Sequence, residues 1–234
     1  MNANLAYVIR VSLRAKRVQM KLNQFGELEI VIPQNFNQKE VVKFVERHSG
    51  WIHRTRERIL SLRPKNEPSS PFIPDDIYLR AVDRHFRVVN SASSLTAGIE
   101  VDYPYQVLEV SGSQAQQLVF INQWMQKKAK KILLPWLQNV GAELSLSYNK
   151  VTIRRQKTRW GSCSAQHNIN LNRNLLLLAP ELVRYLIIHE LCHTVHFNHS
   201  ESYWQLVAQY EPNYKALDHQ LNRATRTIPR WACK

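Results

Sequence analysis

Cysteine is scarce in this chain: Cys163, Cys192 and Cys233 are the only three, and no two form a Cys-x-x-Cys pair. An odd, sparse set excludes a disulfide scaffold and points to a reducing compartment. Long hydrophobic runs are also missing. The longest, at Leu175–Ala179, ends at Pro180 and is far too short to span a bilayer. The first residues, Met1-Asn2-Ala3-Asn4-Leu5-Ala6-Tyr7, lack a basic segment followed by an apolar one, so no signal peptide is expected. Together these absences predict a soluble, cytoplasmic protein with no membrane partner. Acidic residues are the last deficit, with 18 Asp and Glu against 32 Lys and Arg.

What is present is core material and positive charge. Apolar residues make up 44% of the 234 positions, including six Trp, which excludes a disordered chain. The net charge of +14 predicts attraction to acidic surfaces such as nucleic acid, nucleotides or acidic proteins. The excess is uneven. Residues 1–63 carry 12 basic and 5 acidic groups, and residues 112–174 carry 10 and 1. Residues 64–111 are net −3, and residues 175–234 only +1.

Hydrophobic periodicity outlines the elements. Strands are expected at 6–13, 17–22 and, after a turn at Gly26, 27–32. Asn37 and Glu40 then suit the capping box of one helix running to about Leu62. Four of the ten prolines fall between Pro64 and Pro74, which marks a connector. Four short strands follow at 77–89 and 99–110, then a long helix from Gln114 with a kink expected at Pro135. Strands at 150–155, 158–163 and 168–172 precede two closing helical segments. The organisation expected is a β-rich N-terminal region with one helix over 1–111, a catalytic domain over 112–224 and a basic tail over 225–234.

The chemistry concentrates in Ile188-His189-Glu190-Leu191-Cys192-His193, a His-Glu-x-x-His pentad. Pro180 and Glu181 suit the first turn of a helix, and Leu182, Val183, Leu186, Ile187 and Leu191 supply its buried face. On that helix His189 and His193 lie one turn apart on the same side, within reach of one metal. Glu190 lies about 100° round, placed to act on a metal-activated water without being a ligand.

A catalytic Zn²⁺ takes three protein ligands and keeps one open position. His196 shares the helical stripe but lies about 10 Å along the axis from His189. His199 is better placed, with Asn198 suited to the left-handed conformation that turns a chain back. Glu211 and Asp218 are the carboxylate alternatives. Cys192 and Cys163 read as core residues, and Tyr185 and Tyr214 as minor candidates for an oxyanion donor.

These residues, taken with Arg159-Trp160-Gly161-Ser162-Cys163-Ser164, Asn168-Ile169-Asn170-Leu171-Asn172 and Asn198-His199-Ser200, resemble the YgjP-like metallopeptidase family of zinc-dependent hydrolases. A more distant similarity is to SprT-like proteases, which act on proteins attached to DNA. The resemblance implies a zincin-like α+β fold, with His189, His193 and His199 as zinc ligands and Glu190 as the catalytic acid/base. Metzincins share the His spacing but carry Gly where His196 stands, and a downstream Met-turn; the methionines here are only Met1, Met20 and Met125.

The expected activity is hydrolysis of a peptide or protein substrate, acidic or nucleic-acid-bound given the basic blocks. Two other readings stay open. Lys150, Arg154, Arg155, Lys157 and Arg159 would suit a phosphohydrolase acting on nucleotides. Lys127, Lys128, Lys130 and Lys131, with Arg10, Arg14, Lys16 and Arg17, would suit a nucleic-acid-binding protein with a non-catalytic zinc.

Overall fold

Leu28, Ile30 and Ile32 alternate along strand β3 (Leu28–Pro33), and each is almost completely buried. β3 is central in a three-stranded sheet, parallel to β1 (Tyr7–Ser12) and antiparallel to β2 (Gln19–Leu22). Val41, Val45 and Ile52 complete this small core from helices α1 (Glu40–Arg47) and α2 (Ser49–Leu60). A computed structural model of the chain describes residues 6–63, 72–91, 98–101, 106–156 and 159–233.

The single helix expected here is two. At His48 the backbone leaves helical geometry (φ −105°, ψ 9°), and the imidazole Nδ1 lies 2.8 Å from the Phe44 carbonyl. That carbonyl would otherwise accept the His48 N–H, which bonds to Val45 instead. The expected capping box does not form either. Asn37 Oδ1 accepts from the Lys39 N–H at 3.0 Å, closing a turn before the helix starts.

The larger core belongs to the rest of the chain. Strands β4 (Asp76–Leu79), β5 (Arg84–Asn90), β6 (Gly98–Val101) and β7 (Val107–Val110) form a sheet in the order β4-β5-β7-β6. Ile77, Leu79, Phe86, Leu108 and Val110 from this sheet share one buried cluster with Ile121, Trp124 and Met125 of α3 (Gln114–Leu144). Phe86 meets the Trp124 ring edge-on at 5.0 Å. Ser113 and Gln116 cap α3 reciprocally, and the helix continues past Pro135 to Leu144. Leu133, Leu137 and Val140 are buried around the proline, and that packing holds the helix where one backbone hydrogen bond is lost.

By contacts the chain divides into Met1–Glu67 with Thr225–Thr227, and Pro68–Ala224 with Ile228–Lys234. This division falls within the proline-rich connector rather than at residue 111, because the second sheet buries its apolar face in the α3 core. Most of the connector, residues 64–71, lies outside the described residues.

A third sheet, β8-β10-β9, joins β8 (Lys150–Arg154) parallel and β9 (Gly161–Cys163) antiparallel to β10 (Asn168–Asn172). Helices α4 (Pro180–Cys192), α5 (Glu201–Tyr210), α6 (Tyr214–Ala224) and α7 (Arg230–Cys233) follow. The last ten residues were expected as a basic tail, yet Ile228, Trp231 and Ala232 are buried. The Ala232 carbonyl accepts from Arg173 Nη2 at 3.2 Å and Asn174 Nδ2 at 3.3 Å. The architecture is α+β, and among the described residues no helix is long and apolar enough to cross a membrane.

Candidate metal centre

Helix α4 starts at Pro180, whose missing N–H costs nothing in a first turn, and it is buried along most of its length. Val183, Tyr185, Ile187, Ile188, Leu191 and Cys192 are fully enclosed. This burial fixes the helix and so the direction of the two imidazoles at its C-terminal end. His193 is the C-cap, still near helical geometry (φ −67°, ψ −13°).

The chain then turns through Thr194–His196, held by N–H bonds back to Leu191 and Cys192. The turn needs no left-handed residue. Asn198, expected in that conformation, is not among the positive-φ residues. Ser200 caps α5 by accepting from the Tyr203 N–H, which returns His199 to the side of α4.

His189, His193 and His199 are thereby brought together, their ligand nitrogens within 4.8 Å of one another. The Nε2 atoms of His193 and His199 are 3.1 Å apart, and those of His199 and His189 are 3.3 Å apart. A tetrahedral ion bound by nitrogen at about 2.0–2.1 Å would space its ligands about 3.3 Å apart, so the donor set fits a divalent metal such as zinc. His193 Nδ1 lies 3.0 Å from the His196 carbonyl. A proton on that nitrogen leaves the Nε2 lone pair facing the cluster. Burial, and then the neighbouring imidazoles, push the His189 pKa down to about 3; burial lowers that of His193 as well. His189 and His193 therefore favour the neutral form that a metal requires.

Aromatic rings back each ligand. Tyr203 stacks on His193 with centroids 4.4 Å apart, and Trp204 stacks on His199 at 5.3 Å. The Tyr203 hydroxyl donates to the His189 carbonyl at 3.1 Å.

Glu190 is only 4% exposed, and its Oε2 has no hydrogen-bond partner among the described residues. Burial raises its pKa to about 8, opposed by the positive charge of Arg159. A buried acid oxygen without a hydrogen-bond partner is costly to the fold. Gly161 lies directly against this carboxylate, a contact not foreseen from the sequence.

The other candidates lie apart from the histidine group. His196 contributes its carbonyl, not its ring. Glu211 ends α5 and accepts from the Asn213 N–H at 3.2 Å. Asp218 accepts from the Tyr185 hydroxyl at 3.0 Å, which commits Tyr185 to packing rather than to an oxyanion. Tyr214 stacks on Trp204. Cys192 is fully buried and Cys163 half-buried, their pKa values pushed up by burial to about 12 and about 11. Arg154 and Arg155 are exposed, while Lys157 lies outside the described residues.

A family model described as "YgjP-like, metallopeptidase domain" matches residues 16–224. Among solved structures, the chain is similar to the metallopeptidase zymogen of Pyrococcus abyssi abylysin. The identity is 26%, the match covers 42% of this chain and 99% of that one, and the TM-score is 0.37. No curated protein matches.

Proposed function

Because the chain belongs to the YgjP-like metallopeptidase family, we propose that it is a zinc-dependent peptidase with a zincin-like catalytic unit. His189, His193 and His199 hold the metal, and Glu190 moves the proton. The observation that carries this reading is the convergence of three imidazoles, two of them on the helix that also carries Glu190, a buried acid with one oxygen lacking a hydrogen-bond partner.

Zinc held there supplies Lewis acidity, which makes a water acidic near neutral pH and polarises a carbonyl. The chain's own residues do the rest. Glu190 accepts a proton from the attacking water at Oε2 and hands it to the leaving amine nitrogen. Packing against Gly161 keeps the carboxylate in one orientation through both transfers. Tyr203 and Trp204 keep the imidazole rings in place. Among the described residues strand β9 has one neighbour, β10, and lies at the end of its sheet. Its outer edge is the place for an extended peptide to add as a further strand.

The basic excess of residues 112–174 suits peptide or protein substrates that are acidic or nucleic-acid-bound.

The test is zinc content and turnover of the purified protein against denatured protein and a panel of nucleotides. Glu190→Gln should retain zinc in one-to-one ratio while losing proteolysis. Full activity of that variant, or cleavage of nucleotides alone, overturns the reading. Zinc that stays bound without any hydrolysis, with binding to DNA or RNA that falls steeply with salt, would favour the nucleic-acid-binding alternative.

A further inference from the structure

A cavity of about 550 Å³, open to solvent, is lined by Glu201, Trp204, Tyr214, Lys215 and Asp218, of which Glu201 and Lys215 are exposed. One stack of three rings ties it to the metal centre. His199 lies on Trp204 with planes 18° apart, and Tyr214 lies on Trp204 with planes 19° apart, both at 5.3 Å. The indole that backs the third imidazole is thus also a wall of the cavity. Trp204 lies 6.0 Å from the His189 ring as well.

The lining has two chemistries. The rings of Trp204 and Tyr214 offer an apolar wall, and Glu201 and Asp218 offer carboxylates. Asp218 is held in place from two sides, accepting from the Tyr185 hydroxyl at 3.0 Å and from Asn222 Nδ2 at 2.9 Å. An ionised carboxylate has about four lone-pair sites, so acceptor capacity remains. Glu201 accepts from Gln205 at 3.3 Å. With Lys215 as the one cation of the lining, the cavity is net negative inside a chain of +14.

We propose that this cavity is the subsite for the side chain next to the scissile bond, and that it selects a basic one, arginine or lysine. The inference rests on the peptidase reading above. A long side chain with an apolar stem and a cationic head satisfies both parts of the lining: the methylenes pack on the rings, and the head reaches the carboxylates. A leucine would pack on the rings but bring no cation to the carboxylates. A glutamate would be repelled. Selection here acts at contact distance, so it is compatible with a long-range positive field that draws an acidic or nucleic-acid-bound substrate.

The test uses full-length, metal-loaded protein and short peptides identical except for Arg, Lys, Leu or Glu at one position. Binding is measured by calorimetry to Glu190→Gln, and cleavage is mapped with the unsubstituted enzyme by mass spectrometry. Arg and Lys peptides should bind about tenfold more tightly than the Leu and Glu peptides, and cuts should fall beside the basic residue. Glu201→Gln should shrink that ratio, and Lys215→Glu should widen it. Cleavage with no preference, or with a preference for Glu, overturns the subsite while the peptidase reading stands. A basic preference in binding with no peptide cleaved overturns the peptidase reading and leaves a binding site for basic residues.

Discussion

The carboxylate of Glu190 occupies the space that a β-carbon on Gly161 would need: such an atom would lie 2.8 Å from both Glu190 Cδ and Cγ, and closer still to Oε1. Gly161 opens β9 and is 29 positions from Glu190 in sequence. The smallest residue in the Arg-Trp-Gly-Ser-Cys-Ser stretch is therefore there for the acid, not for backbone freedom.

Gly161→Ala should displace the carboxylate and lower kcat by about 100-fold, since misplacing a catalytic group by about 1 Å has that effect. Metal content should not change, because the atoms nearest this position belong to Glu190, which is not one of the three histidines. Steady-state kinetics with metal analysis checks both, and a fully active Gly161→Ala would refute the contact's importance.

His199→Ala should lose most of the bound metal, whereas His196→Ala should keep it. The two are separated because only the carbonyl of His196 is used, and alanine preserves that group. Competition with a chelator, read as metal remaining on the protein, distinguishes them. Equal metal loss in both variants would rule out the ligand set.

Metal-free protein should lose stability as pH falls from about 6.5 toward 3. In the fold the His189 pKa is pushed down to about 3 from 6.5, chiefly by burial. Between those values the unfolded chain binds a proton that the native protein does not, so acid favours unfolding. Urea midpoints across this range should show a shallower slope in His189→Gln than in the unsubstituted protein. Identical slopes would count against it.

Cys163 and Cys192 should resist alkylation at neutral pH. Burial pushes their pKa values up to about 11 and about 12, so almost no thiolate is present to react. Peptide mapping after treatment should find both unmodified in the native protein and fully modified in urea. Rapid labelling of native Cys192 would contradict its enclosure in the core.

Local spacing was enough for part of this molecule. An α-helix repeats every 3.6 residues, so His189 and His193 share a side and Glu190 sits beside them wherever that helix is placed. Alternation along 28–32 and the apolar stripe from Gln114 to about Gly141 likewise announce a strand and a helix without reference to anything distant. The element that misread is one where a single contact overrode the pattern, the His48 imidazole taking the Phe44 carbonyl.

Tertiary structure alone decided the rest. The meeting of His199 with the other two imidazoles depends on the path of the turn after His193 and on the cap at Ser200. The room for Glu190 depends on a strand folded against it, and the His199–Trp204–Tyr214 stack on the packing of α5 and α6. The acidic cavity beside that stack could not be inferred from a strongly basic composition. Periodicity is a property of neighbours in the chain; a site is a property of neighbours in space, and packing chooses those.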